Sequence, residues 1–226
     1  MSERLKAVVP LGLAVAVLTF VWLEVSLNFT FHWVTNGDLG IGLSLPASFH
    51  LVAPAAFISW AMFFAAGADT AAFTKATVST VIGAVGGLVL MLVAPVIADL
   101  PDFWGIALVS AVLAFGVVLA SSLGDWYFTP GVFSGFGCVV FWWIATGLDG
   151  WADGGGGASN TLKSLASPAA AGSGAFGGVL STPVFWVFAS IAATLVCGAV
   201  LGLVSVRLAG LLTPSSAKQP AEPVKA

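Results

Sequence analysis

Six apolar runs, four of them long, dominate this sequence, and they constrain its fold more than any other feature. The hydrocarbon core of a bilayer is about 30 Å thick, so a helix needs roughly 20 apolar residues to cross it. Four runs reach or approach that length, at 7–27, 76–98, 103–122 and 183–207. Two more are short or interrupted, at 54–67, with an extension back toward residue 43, and at 130–147. Because a backbone in lipid must satisfy its own hydrogen bonds, the runs predict an all-α integral membrane protein with six transmembrane helices.

The composition excludes several classes of function. Seven basic and ten acidic residues among 226, with 59% hydrophobic residues, are too few charges for an ordinary water-soluble surface. A net charge of -3 gives no basic footprint for nucleic acid. Cys138 and Cys197 lack the paired spacing of a zinc or redox site, and motifs for nucleotide binding or hydrolysis are missing. We therefore expect a protein that is not an enzyme, with no metal, no cofactor and no nucleic-acid partner.

Three short motifs occur twice in the chain, in the same order. They are Ala-Val-Leu-x-Phe at 16–20 and 111–115, Pro-x-x-Phe-x-x-Trp/Phe at 54–60 and 130–136, and Gly-Ala-Val-x-Gly-Leu-Val at 83–89 and 198–204. Half-length repeats in a bilayer commonly build a transporter or channel. Each half, 7–98 and 103–212, contains three spans, so the second half enters the membrane from the opposite side. The sequence therefore predicts two inverted three-helix repeats.

The basic residues predict the orientation of the six spans. An even number of spans places both termini on one side, together with six of the seven basic residues, Arg4, Lys6, Lys75, Arg207, Lys218 and Lys225. Only Lys163 lies opposite, which makes the shared side cytoplasmic. Residues 1–6 are then a cytoplasmic amino terminus and 213–226 a disordered cytoplasmic tail. The outward segment 149–180 is rich in Gly, Ala and Ser and is predicted to be a mobile loop, with a buried plug as the alternative.

Two aromatic pairs follow the prolines of the short spans. Phe57 and Trp60 are three residues apart, as are Phe133 and Phe136, so each pair lies on one helical face. If the pairs face each other, they form an aromatic constriction between spans two and five. Such a constriction passes small neutral or weakly polar molecules and excludes hydrated ions. The alternative is that these aromatic side chains face lipid or pack between helices.

Two pairs of glycines stand in equivalent places in spans three and six. Gly83 and Gly87, and Gly198 and Gly202, are four residues apart. Small residues at this spacing let two helix backbones approach closely in a membrane. The pairs therefore predict that spans three and six pack against each other or across a subunit interface.

Four further residues complete the predicted site. Pro54 and Pro130 suit the first turn of a helix and are predicted to mark where the interrupted helices begin. Glu24 is the acidic residue well inside an apolar run, which makes it a functional candidate, although it also lies close enough to the end of its span to reach the headgroups. His50 is the second predicted polar or proton-handling position.

The short spans also carry a resemblance to a known family. The segments Phe-Ile-Ser-Trp-Ala-Met-Phe-Phe-Ala-Ala-Gly at 57–67 and Thr-Pro-Gly-Val-Phe-Ser-Gly at 129–135 resemble a family of small bacterial inner-membrane proteins catalogued as domain of unknown function 1097, DUF1097. The similarity covers most of 7–212, and the long segment 149–180 departs from the family pattern. The resemblance implies six spans and a location in the cytoplasmic membrane. It implies no activity and no functional residues.

These patterns favour a channel or facilitator for a small neutral or weakly ionised solute, such as an amide, an amine or a short weak acid. A small chain with two faces of paired glycines is also expected to form a homo-oligomer in the lipid bilayer. The alternative is a non-conducting structural or accessory subunit that binds a protein partner, lipid or pigment. Ser59, Gly135 and Gly137 distinguish the two, because they should face a cavity in a channel and another helix in a scaffold.

Overall fold

The computed structural model describes residues 3–30, 49–97, 100, 104–145 and 183–213, and this part of the chain forms helices joined by short connections. The helices are α1 (Glu3–Asn28), α2 (Ala53–Ala65), α3 (Thr70–Val93), α4 (Trp104–Ala120), α5 (Thr129–Ala145) and α6 (Val184–Leu212). Short 3-10 turns extend α3 over Ala94–Ile97 and α4 over Ser121–Leu123. The segments 149–180 and 214–226 lie outside the described residues, so the predicted mobile loop and disordered tail stay predictions.

In the described part of the chain all the regular structure is helical, as predicted, and its six helices match the six apolar runs. Four stretches are long and apolar enough to cross a membrane: 5–28, 70–97, 104–123 and 184–212. Helices α2 and α5 are apolar but contain only 13 and 17 residues. At 1.5 Å per residue they are about 20 and 25 Å long, which is less than the thickness of a hydrocarbon core. The two spans predicted to be short are therefore short.

Helix α3 begins at Thr70, six residues before the apolar run from which its span was predicted. Asp69 precedes it, and its carboxylate accepts a hydrogen bond from the backbone N–H of Ala72 at 2.7 Å. An Asp at this capping position stabilises a helix start by satisfying one of its free N–H groups. The first turns of α3 are polar and include Lys75, so a search for apolar residues alone misses them.

A tight turn joins α2 to α3. The N–H of Gly67 donates to the carbonyl of Phe64, and the N–H of Ala68 donates to the carbonyl of Phe63, both at 3.1 Å. This pair of bonds closes a helix when the residue after the cap takes a left-handed conformation, and Gly67 does so with φ of 121°. Since only a few residues separate the two helices, α2 and α3 run antiparallel.

Helices α2, α3, α5 and α6 form the core of the bundle. The most extensive contacts are those of α3 with α5 and of α2 with α6, followed by those of α3 with α6. A central cluster of fully or nearly fully buried side chains, including Met91, Val139, Trp143 and Ile191, lies where these helices meet. Helix α1 packs on α6, whereas α4 lies outermost with only Gly105 and Val109 buried. The two halves of the chain are thus joined through their second and third helices.

Candidate functional site

Helix α2 begins within the length of its neighbour α6 and not at the end of it. An extended segment, 49–52, leads into α2, and the backbone N–H groups of its last three residues donate to side-chain hydroxyls. The bonds join His50 to Ser190 at 3.0 Å, Leu51 to Thr30 at 3.0 Å and Val52 to Thr194 at 3.1 Å. Thr194 is ten residues into α6, about 15 Å along the axis of that helix. Because lipid offers no hydrogen-bond partner, non-helical backbone at this depth must be satisfied by the protein, and here hydroxyl groups do so.

Helix α5 begins in the same way, beside α3. The backbone N–H of Phe128 donates to the hydroxyl of Ser79 at 3.0 Å. Ser79 is fully buried and lies nine residues into α3, about 14 Å along its axis. Val52 and Phe128 each stand two residues before the proline of their helix. The predicted helix-start prolines, Pro54 and Pro130, therefore occupy the second residue of α2 and of α5.

The paired glycines seat these short helices. A Cβ atom at Gly83 would overlap the carbonyl oxygen of Val132, and one at Gly198 would overlap the carbonyl oxygen of Ala56. Val132 and Ala56 are each two residues after the proline of a short helix. One turn further on, a Cβ at Gly87 would come within 2.6 Å of Val139, and one at Gly202 within 2.6 Å of Phe63, each nine residues after the proline. The helix backbones touch because these positions carry no side chain.

The partners of the glycines differ from those expected. Spans three and six do touch, but Gly83 and Gly87 pack against α5, and Gly198 and Gly202 pack against α2. In both pairs the contacts advance along both helices in the same direction, so α3 runs parallel to α5 and α6 runs parallel to α2. A motif for close approach does not specify its partner, and here each long helix receives the short helix of the other half. Since α2 and α3 are antiparallel, α2 and α5 run in opposite directions.

An open-sided cavity of about 400 Å³ lies between α2 and α5, and Ile58 and Phe141 in its wall are exposed on the outer surface of the bundle. Its walls are Val52, Pro54, Ala55, Ile58, Ser134, Gly137, Cys138, Phe141 and Ile191. Ile58 and Ser134 are each four residues after the proline of their helix. The side chain of Ser134 is half-buried and Cys138 is 5% exposed, so one hydroxyl and one thiol stand among apolar walls. We call this space the α2–α5 cavity.

The four predicted aromatic residues do not share one space. Phe57 stacks on Trp60 with ring centroids 6.2 Å apart, and Trp60 is 4% exposed and donates its indole N–H to the hydroxyl of Ser205 on α6 at 3.3 Å. Phe133 and Phe136 line a second cavity of about 350 Å³ between α3, α4 and α5. None of the four lines the α2–α5 cavity. The spacing put each pair on one face correctly, but the faces point toward different neighbouring helices.

The two predicted polar residues lie on different elements. Glu24 is exposed on α1, and its carboxylate accepts a hydrogen bond from the side-chain amide of Asn28 at 3.1 Å. His50 is 4% exposed, and its ring meets the edge of Trp142 on α5 with centroids 5.9 Å apart. Its Nδ1 atom has no hydrogen-bond partner among the described residues. Within the described ranges, no three His, Cys, Asp or Glu residues lie together in a way that would hold a metal ion.

Sequence reasoning missed the hydroxyl groups that hold the helix starts. Ser79 stands four residues before Gly83, and Thr194 stands four residues before Gly198. A polar residue one turn before each glycine pair was therefore a readable signal, because a buried hydroxyl in a span needs a partner. Ser190 lies one turn earlier still in α6. Its hydroxyl accepts from a backbone 140 positions away in the chain, a contact that no local pattern reveals.

The small residues of the short helices divide between the two expected environments. Gly137 lines the α2–α5 cavity, and a Cβ built there meets nothing within 4 Å. Gly135 instead packs against the backbone of Thr80 on α3, and Ser59 is fully buried. One face of α5 therefore borders a cavity while the adjacent face seats on a helix.

The comparisons with known proteins give the family alone. A family model described as "Protein of unknown function (DUF1097)" matches residues 11–210. No curated protein and no solved structure matches the chain.

Proposed function

We propose that this chain, which belongs to the DUF1097 family, is a facilitator for a small neutral or weakly ionised solute whose route passes through the α2–α5 cavity. The observation that carries the proposal is the pair of short helices that begin part-way along a longer neighbouring helix and flank this cavity. In membrane transport proteins, discontinuous helices of this kind line the substrate path near the middle of the bilayer. The chain supplies such a helix from each half.

The proposed architecture is a pair of inverted three-helix repeats, 7–98 and 103–212. Equivalent contacts support it. The bond from Val52 to Thr194 corresponds to the bond from Phe128 to Ser79, because Val52 and Phe128 each stand two residues before the proline of their helix. The glycine contacts of α3 and α6 follow the same correspondence. Parallel pairing of α2 with α6 and of α3 with α5, with α2 and α5 opposed, is the arrangement that a two-fold axis in the membrane plane produces.

The walls of the α2–α5 cavity favour a neutral solute. Among the described residues its lining contains no acidic or basic side chain. An ion entering it would lose hydration that no opposite charge replaces. The starts of α2 and α5 each offer an anion one N–H group fewer than an ordinary helix start, because Pro54 and Pro130 have no N–H to donate. A volume of about 400 Å³ exceeds the roughly 150 Å³ that holds a benzene molecule in a dry protein cavity, so small amides, amines and uncharged weak acids fit.

The proposed orientation follows the basic residues. Lys6, Lys75 and Arg207 lie near the ends of α1, α3 and α6 that face the same side in this topology. Retention of positive charge on the cytoplasmic side would place both termini in the cytoplasm and the protein in the inner membrane. A homo-oligomer is proposed because α4 exposes large apolar side chains, among them Val112 and Phe115, over most of its surface.

The second candidate is an accessory subunit that conducts nothing. It is favoured by the same exposure of α4, because an apolar helix with few contacts inside its own chain is suited to bind a partner helix. The two candidates differ in what fills the α2–α5 cavity. A solute must pass through it in the first, whereas the second requires only that the helices around it stay packed.

Stopped-flow light scattering on proteoliposomes tests the proposal with urea, acetamide, ammonia, glycerol and acetate. A leucine at Gly137 grows into open space that lines the cavity, so Gly137→Leu should fold and should reduce solute entry to that of empty liposomes. Gly210→Leu is the matched control, because Gly210 is exposed on α6 and also has open space beside it. Wild-type entry equal to that of empty liposomes for every solute would transfer the proposal to the accessory subunit.

Mercury chloride gives an independent test of the route. Cys138 lines the cavity and Cys197 does not. If solutes pass beside Cys138, the reagent should slow solute entry through wild type and through Cys197→Ser, and should leave Cys138→Ser unaffected. Inhibition that disappears only in Cys197→Ser would place the route elsewhere.

A further inference from the structure

The second cavity forms an apolar groove along α4. It measures about 350 Å³ and lies between Gly83 and Gly86 of α3, Gly116 and Val117 of α4, and Phe133 and Phe136 of α5. The residues of α4 and its 3-10 extension that line the groove run from Val112 to Leu123. Just before this stretch Val109 packs with Leu90 and Ala94, and within it the hydroxyl of Tyr127 donates to the carbonyl of Val117 at 2.9 Å.

In the first half of the chain a buried tryptophan stands at the equivalent position of α1. The Ala-Val-Leu-x-Phe motifs of α1 and α4 are 95 positions apart in the sequence. Ser26 and Ser121 are also 95 positions apart, and the hydroxyl of each donates to the carbonyl three residues before it. With this spacing Trp22 corresponds to Val117. Trp22 is 6% exposed and donates its indole N–H to the carbonyl of Ala53 at the start of α2. The groove therefore lies where the second half carries a small side chain in place of a large one.

At one end the groove shares a wall, Trp126, with a cleft that is lined by a basic side chain. Trp126 lines the groove and also lines a cleft of about 330 Å³ with Thr74, Lys75 and Val78. Lys75 is half-buried. Trp126 and Tyr127 are of the types that prefer the membrane interface, so this end lies at the level of the headgroups. Asp125, which precedes Trp126, is exposed and does not line the cleft, so Lys75 is the charged side chain among the described residues of its lining.

We infer that the groove and the cleft together bind one phospholipid, with one acyl chain along α4 and the phosphate beside Lys75. A helix of a second copy would lie over the groove without filling it, because a helix 10 Å across takes up about 120 Å³ per residue and the groove has room for about three residues. A cavity of about 150 Å³ takes one benzene molecule, so the groove accepts roughly a dozen carbon atoms. Its apolar walls suit hydrocarbon, and Lys75 supplies the charge that a phosphate attracts.

Native mass spectrometry of the full chain in detergent tests the inference, with 1-palmitoyl-2-oleoyl phosphatidylglycerol as the probe. Wild type should retain one lipid. Gly116→Leu grows into open space in the groove and should abolish retention, whereas Gly137→Leu fills the other cavity and should not. Lys75→Gln should weaken retention about fivefold, as expected for loss of one cation near a lipid surface. Arg207→Gln, which removes an exposed basic residue at the same side, should leave it unchanged.

A lipid with a photoreactive diazirine in its tail locates the bound chain. Labelling should concentrate on Leu113 and Phe136, which line the groove and are half-buried, above that of Leu119, which is exposed on the surface of α4. Val117→Trp, which copies the residue of the first half, should remove this excess and leave Leu119 labelled as before. Equal labelling of groove and exposed surface, or retention of lipid by Gly116→Leu at the wild-type level, would overturn the inference. A dimer that Val117→Trp dissociates would assign the groove to a second copy and would overturn it as well.

Discussion

Substituting Gly198 with alanine tests the close contact between α6 and α2. A Cβ atom there would overlap the carbonyl oxygen of Ala56 and would lie 2.8 Å from the Cα atom of the same residue. Both are backbone atoms, so no side-chain rotation relieves the overlap and α2 itself must move. Overpacking of a tight interior typically costs about 1–3 kcal/mol, and we expect Gly198→Ala at the upper end of that range.

Gly210→Ala on the same helix is the matched control. Gly210 is exposed and a Cβ there meets nothing within 4 Å. Alanine is favoured over glycine in a helix by about 0.5–1 kcal/mol, so this substitution should be neutral or stabilising. The same chemical change on the same helix should thus act in opposite directions. The difference in free energy of unfolding, about 3–4 kcal/mol, is measured by titrating the protein from dodecyl maltoside into sodium dodecyl sulfate and following helix content.

Equal effects of the two substitutions would refute the reasoning, because they would mean that the interface at Gly198 has room for a Cβ atom, as the exposed Gly210 does. A large effect at both positions would also refute it, since it would mean that α6 tolerates no side chain anywhere along this stretch. Gly198→Ala should in addition alter solute entry if α2 borders the route, since its displacement moves Ile58 and Pro54 in the cavity wall.

Three further predictions follow from other contacts. Gly83→Ala should destabilise the protein about as much as Gly198→Ala, because it meets the backbone of α5 in the equivalent way, and the same detergent titration checks it. Thr194→Val should cost about 1–3 kcal/mol in unfolding free energy, because it leaves the buried N–H of Val52 without an acceptor, and the amide of Val52 should exchange hydrogen faster. Glu24→Gln should change unfolding free energy by less than about 0.5 kcal/mol, since the carboxylate is exposed and the amide of Asn28 keeps an oxygen partner.

The short helices illustrate how far local sequence patterns reach. Their apolar composition, their length and their prolines are properties of consecutive residues, and the structure has both helices where the sequence predicted them. Helix propensity and the cost of unsatisfied backbone in lipid act locally, so they can be read from one segment at a time. The start of α3 at Thr70 was missed for a related reason, because the capping residue Asp69 is polar and a search for runs of apolar residues does not include it.

The local patterns did not predict which helix each helix packs against. The glycine spacing predicted close approach, but the helices that approach are α5 for Gly83 and α2 for Gly198. The aromatic spacing placed Trp60 and Phe57 on one face, yet that face turns toward α6 and leaves Ile58 to border the cavity. Within a membrane, packing is decided by shape and by hydrogen bonds between helices, because lipid and side chains are equally apolar. Shape of this kind depends on residues far apart in the chain.

The sequence by itself therefore determined the solvent in which this chain folds, the number and length of the described helices and the positions at which the two short ones begin. Each of these depends on hydrophobicity, helix-breaking residues and backbone hydrogen bonding within one segment. Only the tertiary structure decided which helices touch, that hydroxyls of α3 and α6 hold the starts of α5 and α2, and that Trp22 packs at the start of α2 while Val117 borders a groove. These features arise from the fit between segments that are distant in sequence, and the bilayer sets no preference among the possible partners.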